Sequence, residues 1–317
     1  MNYRRLGNTG ITVSEIGFGS WGIGGLTEGA TSYGPTDDNE SRLALLSAFH
    51  NGITLYDTSD IYGNGHSEEL IGETLRPVRS KIVIASKGGF TKHRGPHNVS
   101  TQFLRERLEG SLRRLRTDYI DVYQLHSPPM SMVTPEVVET LESFRLEGKI
   151  RAFGFSLKDP LQGLAAIILG FKSLQVNFNM LDQRAWKNGL FPLAEQKSVG
   201  LIGRTPFNFG FLAGNGSELN FDPRDHRSNW SQSQLERWAK APDLFSFLNN
   251  KKERTNAQLA LQFCLSFKAI SSVIPGILHP GEALENAIAS DLGPLTLEEL
   301  EVISQINANN TFFEKST

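Results

Sequence analysis

The chain has 317 residues, of which 39% are hydrophobic and 21% are charged, a composition typical of a globular protein with a sizeable core. Its 34 acidic and 32 basic residues give a net charge of −2, so no basic excess exists to attract nucleic acid or an anionic membrane. The single cysteine, Cys264, excludes an internal disulfide, and the start of the chain has no apolar stretch of signal-peptide length. The apolar runs are also too short to span a bilayer. We therefore expect a cytoplasmic protein without nucleic-acid or membrane partners.

Residues 3–15 predict a β-hairpin, because two strand-like segments flank the turn sequence Gly7-Asn8-Thr9-Gly10. Beyond the hairpin, short apolar runs rich in β-branched and aromatic residues alternate with segments of helical spacing. The strand-like runs are 16–22, 53–57, 81–86, 119–125, 151–155, 173–178, 200–204 and 270–274. Strands that alternate with helices in this way predict a parallel sheet.

Two of the intervening segments carry strong helix signals. Residues 100–116 place apolar side chains three and four positions apart, and Ser100 is suited to cap that helix. Residues 135–147 begin with Pro135 directly after Thr134, which is typical of a helix start. Gly148 is expected to end the second helix.

Eight parallel strands can form either an open doubly wound sheet or a closed (β/α)8 TIM barrel. No G-x-G-x-x-G turn opens any of the predicted helices, which disfavours the open dinucleotide-binding sheet. The number of strands favours the barrel. Since the sequence shows neither a linker nor a repeat, we predict one α/β domain over residues 1–317.

Residues 205–253, which we call the flap, interrupt the alternation after the seventh barrel strand. The segment has no clear strand pattern but is rich in Phe and Trp, so it is too aromatic for a disordered loop. Long connections inside a compact domain are usually functional. We predict an irregular flap that packs on the barrel and contains a helix near residues 232–250.

Polar side chains stand at the predicted carboxyl ends of three consecutive strands. These strands end in Asp57, Lys87 and His126, and Tyr62 follows Asp57 in a loop flanked by glycine. Each residue alone has an ordinary structural explanation, as a loop cap, a surface charge or a satisfied polar group. In a TIM barrel, however, the chemistry occurs at this rim. Their joint occurrence there therefore favours a proton-handling site.

The stretches that contain these residues resemble the aldo-keto reductase family, and the resemblance covers nearly the whole chain. It is carried by YRRLGNTGITVSEIGFGSWGIGG, LYDTSDIYGNGHSEELIGE, IVIASKGG, SLRRLRTDYIDVYQLHSP, GKIRAFGFS, LQVNFNMLDQ and VIPGILHPGEALENAIA. The resemblance implies a barrel, a nicotinamide cofactor and the reduction of a carbonyl group. It also implies a catalytic tetrad of Asp57, Tyr62, Lys87 and His126.

The resemblance assigns each member of this tetrad a role. Tyr62 would give a proton to the alkoxide that develops as hydride reaches the carbonyl carbon. A free phenol has a pKa of roughly 10, and the Lys87 ammonium is expected to lower the pKa of Tyr62. Asp57 would hold Lys87 charged, and His126 would hydrogen-bond the substrate oxygen. The hydride itself is the cofactor's chemistry.

The resemblance further implies a cofactor site. Ser156 and Gln175 would hold the nicotinamide carboxamide, and Arg204 would lie against the ring, where many family members have Tyr. The predicted contacts toward the pyrophosphate and the adenosine are Pro206, Phe207, Phe209, Gly210, Leu212, Pro275, Gly276, Glu282, Glu285 and Asn286. A helix N-terminus after Gly276 would favour the phosphates.

The sequence leaves the choice of nucleotide open. Members of the family that prefer NADPH commonly place Lys or Arg within the segment equivalent to 276–286, whereas this segment has neither. Glu282 would repel a 2′-phosphate but could accept a hydrogen bond from a free 2′-hydroxyl. The resemblance to the family favours NADP(H), and the residues of the segment 276–286 make NAD(H) possible.

Trp21, Tyr62 and His126 are expected to line the substrate pocket. The tail after Ile306 is short and polar, so it cannot form much of the wall of a pocket for a large apolar substrate, and small aldehydes or sugars are favoured.

The histidines show no spacing typical of a metal site. Neither the redox direction nor the oligomeric state can be inferred from the sequence.

Two other functions are compatible with the same residues. The first is a non-catalytic, nicotinamide-binding regulatory subunit that resembles the β subunits of potassium channels, which keep the tetrad as well. The second is a barrel isomerase or lyase that uses Lys87 as a Schiff base, with Asp57 as its charge partner.

Overall fold

The structure is a computed structural model that describes residues 1–27, 29–214, 219–249 and 253–314. Its N-terminus forms the predicted hairpin, in which β1 (Tyr3–Arg5) pairs antiparallel with β2 (Thr12–Ser14). Gly7 and Gly10 in the turn have φ angles of 54° and 78°, a left-handed backbone that glycine adopts without steric cost.

All eight predicted barrel strands form, and neighbouring strands in the sequence pair parallel in the sheet. The strands are β3 (Phe18–Gly19), β4 (Leu55–Asp57), β5 (Val83–Gly88), β6 (Ile120–His126), β7 (Ile150–Ser156), β8 (Ser173–Asn177), β9 (Gly200–Arg204) and β10 (Ile270–Ile274). Because every pair is parallel, all the carboxyl ends of these strands meet at one rim.

The sheet closes on itself between its first and last strands. The Gly17 amide donates to the Val273 carbonyl at 2.8 Å, and the Val273 amide donates to the Glu15 carbonyl at the same distance. The Gly19 amide continues the pairing to the Pro275 carbonyl. A Cβ atom on residue 19 would lie 2.7 Å from that oxygen, so the close approach requires glycine. The predicted (β/α)8 barrel is thereby confirmed.

Helices cover the outside of the barrel. Their bounds are α1 (Asp38–His50), α2 (His66–Leu75), α3 (Thr101–Arg114), α4 (Pro135–Leu146), α5 (Gln162–Ile168), α6 (Arg184–Lys187), α7 (Leu190–Gln196), α8 (Gln232–Ala239), α9 (Asn256–Leu265), α10 (Pro280–Asp291) and α11 (Leu297–Asn309). Helix α3 begins as predicted, because the Ser100 hydroxyl accepts from the Phe103 amide. None of the helices in the described part of the chain is long and apolar enough to cross a membrane.

The apolar residues form an inner and an outer core. The inner core fills the barrel and consists of Leu6, Ile11, Val13, Leu55, Val83, Ala85, Val122, Ala152, Ile202 and Ile274. Three of these residues come from the hairpin, which therefore closes the end of the barrel opposite the rim formed by the carboxyl ends of the strands. The outer core lies between the strands and the helices. Together the two cores hold the strand ends in place, and this rigidity gives the rim a defined geometry.

The flap packs on the barrel as predicted, with Trp238 fully buried against Phe209, Phe211 and Trp230. The predicted helix over 232–250 is wrong in length, because α8 ends at Ala239 and two 3₁₀ turns follow it. Pro242 explains the early end, since proline has no amide hydrogen and disfavours a helical residue before it. Residues 215–218 and 250–252 of the flap lie outside the described residues.

Candidate active site

An ion pair between Asp57 and Lys87 lies buried at the rim, at the ends of β4 and β5. The Lys87 Nζ donates to the Asp57 Oδ1 at 2.5 Å and to the Thr58 carbonyl at 2.8 Å. The other oxygen of Asp57 accepts from the Gln175 Nε2 at 2.6 Å. Burial is the largest effect on Lys87 and opposes its charge, but Asp57 and Tyr62 together outweigh burial and raise the pKa of Lys87. Lys87 is therefore an ammonium at neutral pH.

Tyr62 presents its hydroxyl to this ion pair, 3.4 Å from the Lys87 Nζ. Burial raises the pKa of Tyr62, and the nearby charge of Lys87 only partly offsets that effect. Lys87 lowers the pKa of Tyr62 as expected, but the loss of hydration raises it by more, so the net pKa lies above that of a free phenol. The phenol is protonated at neutral pH, which is the form that a proton donor requires.

The loop after Tyr62 is held against the loop after β3. Gly63 has a φ of 60°, and a Cβ atom at that position would lie 2.1 Å from the Gly24 carbonyl oxygen. Only glycine allows both the left-handed backbone and the close approach. The glycine beside Tyr62 therefore fixes the position of the phenol.

Replacing Gly63 by Ala is expected to lower turnover at least about tenfold, because the clash with Gly24 must shift the Tyr62 hydroxyl. Steady-state turnover and urea unfolding would be measured on the same preparations. Gly148→Ala is the matched control, since Gly148 has a φ of 75° but open space around it. It should lose only about 1 kcal/mol of stability from the backbone strain and keep full turnover. Equal turnover in both variants would contradict the steric explanation.

His126 ends β6 and lies edge-on to the Tyr62 ring, with 5.8 Å between the ring centroids. Its Nδ1 is 2.9 Å from the Ser59 hydroxyl. Burial, followed by the charges of Lys87 and Arg204, lowers the pKa of His126 well below its ordinary value. The ring is therefore neutral, and one of its nitrogens carries a hydrogen. Because Nδ1 is held by Ser59, Nε2 is the nitrogen available to the cavity.

A cavity of about 650 Å³ opens at this rim. It brings together most of the residues predicted from the sequence. Those on its wall are Trp21, Asp57, Tyr62, His126, Gln175, Arg204, Pro206, Phe207, Phe209, Gly210, Gly276, Glu282, Glu285 and Asn286. Its volume is in the range of roughly 300–1,000 Å³ that is usual for cofactor and ligand sites.

Four of the predicted residues, Lys87, Ser156, Leu212 and Pro275, are not part of this wall. Lys87 is fully buried, and its Nζ contacts Asp57 and Tyr62 from the side that faces the interior of the protein. Ser156 is also buried and donates to the Gln175 Oε1 at 3.3 Å. Leu212 belongs to the outer core, and the Pro275 carbonyl closes the barrel.

Several features of the wall fit an elongated polar ligand such as a nicotinamide dinucleotide. Within the described chain, the buried Arg204 Nε and Asn286 Nδ2 lack a hydrogen-bond partner. A terminal nitrogen of Arg204 donates to the Leu157 carbonyl at 3.0 Å, which holds the guanidinium in place. Gly276 leaves open space where a side chain would stand. Unpaired buried donors beside open volume are where the oxygens of a ligand can bind.

One wall of the cavity is aromatic. Beside the predicted Trp21 it contains Tyr33, backed by His226, and neither of these two was predicted from the sequence. Tyr33 and Trp21 lie 5.2 Å apart between ring centroids, and both contact the ring of His226 from the flap. The His226 amide donates to the Ser32 carbonyl at 2.7 Å. Arg227 also lines the cavity. Tyr33 lies in a loop without hydrophobic periodicity, so only the folded chain shows that it reaches the site.

The fold places this chain in the class of (β/α)8 barrels, whose functional sites lie at the carboxyl ends of the strands, where this cavity opens. The chain belongs to the aldo/keto reductase family, whose sequence profile matches residues 15–308. Its relatives in the family include oxidoreductases, and this agrees with the family resemblance predicted from the sequence.

Three similar proteins illustrate the range of the family. The chain is 30% identical over 307 residues to the NADH-specific methylglyoxal reductase of Escherichia coli (strain K12), and the match covers 90% of this chain and 93% of that protein. It is 27% identical to a probable voltage-gated potassium channel subunit beta of Oryza sativa subsp. japonica, with 97% and 96% covered. The structure of the glycerol dehydrogenase of Gluconobacter oxydans superimposes with a TM-score of 0.82, at 26% identity, with 99% and 97% covered.

Proposed function

We propose that this protein reduces a small aldehyde or ketone with a nicotinamide cofactor, or oxidises an alcohol or sugar in the reverse direction, with Tyr62 as the proton donor. The observation that carries the proposal is the arrangement around the Tyr62 hydroxyl. This hydroxyl borders the cavity on one side and lies 3.4 Å from a buried ammonium on the other. A protonated phenol in this place can give its proton to a substrate oxygen, and the ammonium stabilises the phenolate that remains.

Each of the other polar residues supports that proton transfer. Asp57 holds Lys87 charged and directs its ammonium, because the two are joined by a 2.5 Å hydrogen bond inside the barrel. His126 is neutral and offers Nε2 to the substrate oxygen, which orients the carbonyl. Gln175 and Arg204 would hold the nicotinamide, which supplies the hydride when it is bound. A cavity of about 650 Å³ that must also hold the nicotinamide favours a small aldehyde or sugar.

The adenosine end of the cavity leads us to propose NAD(H) as the preferred nucleotide, although the habit of the family favours NADP(H). Glu282 lies on the cavity wall, and its carboxylate accepts from the Leu278 amide at 2.7 Å and the His279 amide at 3.2 Å. Within residues 276–286 the one side chain that can become cationic is His279, and its Nδ1 lies 3.2 Å from the Glu40 carboxylate. A fixed carboxylate at this place disfavours a 2′-phosphate.

Glu282→Gln is expected to tighten NADPH binding about tenfold and to change NADH binding little, because it removes one negative charge and keeps an oxygen for the cap. The dissociation constants would be measured by quenching of the tryptophan fluorescence. Glu298→Gln, in the exposed first turn of α11, is the control for a carboxylate at a helix start. An unchanged ratio of NADPH to NADH affinity would contradict the role of Glu282.

The proposed function is tested by titrating the purified protein with NADH and NADPH and then adding small aldehydes, methylglyoxal, glycerol or aldoses. Tight binding followed by oxidation or reduction of the nucleotide supports the proposal. Failure to bind either nucleotide would overturn it. Trapping of a substrate on Lys87 by borohydride would instead indicate Schiff-base chemistry.

A regulatory subunit is a second candidate, because relatives that match nearly the whole chain are named as probable potassium channel β subunits. Such a role predicts nucleotide binding without appreciable turnover of any substrate. It also predicts that the protein copurifies with a membrane protein when expressed in its own cell. Turnover at ordinary enzyme rates favours the reductase.

A further inference from the structure

Two buried polar residues lie behind His126, on the side of the ring away from the cavity. Ser59 is completely buried and Asp60 is 3% exposed. The Ser59 Oγ is 2.9 Å from the His126 Nδ1 and 3.1 Å from the Asp60 Oδ1. The Asp60 Oδ2 has no hydrogen-bond partner in the described chain, and the nearest cation, the Arg107 Nε, is 3.7 Å away. Asp60 has no part in the chemistry described above, and Ser59 enters it only as the hydrogen-bond partner of the His126 Nδ1.

The hydroxyl of Ser59 has one hydrogen, so it donates to one acceptor at a time; besides the Asp60 carboxylate and the His126 Nδ1, the more distant Lys87 carbonyl lies at 3.4 Å. When Asp60 is ionised, Ser59 donates to the carboxylate, and its oxygen then accepts a hydrogen from the His126 Nδ1. The His126 Nε2 is left with a lone pair facing the cavity. When Asp60 is neutral, its own hydrogen goes to Ser59, and Ser59 donates to Nδ1. The hydrogen of the neutral imidazole is then on Nε2, where it can bind a carbonyl oxygen.

We propose that Ser59 and Asp60 are positioning residues that select which nitrogen of His126 carries the hydrogen, and that they thereby decide whether His126 offers a hydrogen-bond donor or an acceptor to the substrate. We call this pair of hydrogen bonds, from Asp60 through Ser59 to His126, the relay; the only proton that it takes up is the one that binds Asp60. The effect of the relay on the reaction rate rests on the proposed carbonyl reduction. The position of the hydrogen on the imidazole does not depend on that proposal. Ionisation of Asp60 would favour the form that binds an alcohol hydroxyl.

The surroundings of Asp60 allow both of its forms near neutral pH. Burial and the buried carboxylate of Glu68 raise the pKa of Asp60 to about 7, and Arg107 and Arg114 oppose this shift. Glu68 is paired with Arg114, and its carboxylate repels a second negative charge beside it. The Tyr123 hydroxyl, also buried in this group, has no hydrogen-bond partner among the described residues. Below this pKa Asp60 is neutral, and above it Asp60 is charged.

His126 itself does not titrate in this range. Besides burial, the groups that face its ring are cationic or can become so, namely Lys87, Arg204, His93 and His97, and all four lower its pKa. A change in the ring between pH 6 and pH 8.5 would therefore be a shift of the hydrogen between its two nitrogens rather than a loss of charge.

The test is a long-range ¹H–¹⁵N NMR titration of the full chain with ¹⁵N-labelled histidine, from about pH 6 to about pH 8.5. His126→Asn identifies the signals of His126. In the wild type, we expect the hydrogen to move from Nε2 at low pH to Nδ1 at high pH. In Asp60→Asn and in Ser59→Ala, the distribution should not change with pH. The matched control, Asp243→Asn at an exposed site in the flap, should behave as the wild type does.

Carbonyl reduction provides the second measurement. In the wild type, kcat/KM should fall about tenfold over the same rise in pH, and this fall should be absent in Asp60→Asn. An imidazole whose hydrogen does not move in the wild type would overturn the relay, as would a variant that titrates like the wild type. Because the NMR titration needs no substrate, a relay that works in a protein without reductase activity would refute the proposed function alone.

Discussion

Tyr62→Phe is expected to lower the turnover of a carbonyl substrate by about 10²–10⁴-fold, the usual contribution of a positioned general acid. The phenol is protonated at neutral pH, lines the cavity and has an ammonium behind it to stabilise its anion. Phe keeps the ring and its edge-on contact with His126, so the shape of the pocket is preserved. The dissociation constant for the nucleotide should stay within about twofold.

The control for this substitution is Tyr3→Phe in the hairpin. The Tyr3 hydroxyl donates to the Gly52 carbonyl at 3.1 Å. This contact lies at the hairpin end of the barrel, opposite the rim. This variant should keep full turnover. If Tyr62→Phe retained near-wild-type turnover, the proton would have to come from another group, and Tyr62 would only shape the pocket.

Lys87→Met is expected to abolish turnover and to lower the free energy of unfolding by about 3–5 kcal/mol, because it leaves the Asp57 carboxylate buried without its counter-charge. Lys87 is fully buried, and no other cation lies within ion-pair distance of Asp57 among the described residues. The remaining donors to this carboxylate are neutral amides, chiefly that of Gln175 at 2.6 Å. Urea unfolding followed by circular dichroism would measure the stability.

A double variant separates the two effects. Adding Asp57→Asn to Lys87→Met removes the unpaired charge, so much of the lost stability should return while turnover stays absent. Arg145→Met, in an exposed ion pair with Glu142, should leave the stability almost unchanged, since surface pairs contribute little. If the double variant were as unstable as Lys87→Met alone, lost packing rather than buried charge would explain the effect.

Local patterns in the sequence were enough to predict the barrel. Each strand is a short apolar run, each major helix repeats its apolar positions, and these periodicities depend on neighbouring residues only. The rim residues Asp57, Lys87 and His126 could be found because they end their strands, and parallel strands put their ends together. The helix predicted near residues 232–250 was too long, because α8 ends at Ala239, shortly before Pro242.

The tertiary structure decided what distant parts of the chain do to one another. The pKa of Tyr62 rises because several loops bury the phenol, an effect that no local pattern contains. Tyr33 reaches the cavity because the chain before α1 packs against the flap. The contact of Ser59 with His126 joins residues 67 positions apart in the sequence. The sequence by itself therefore determined the fold and the residues at the rim, because these depend on periodicity and strand order. Their protonation depends on burial and on charges brought close by folding, and only the three-dimensional structure shows these.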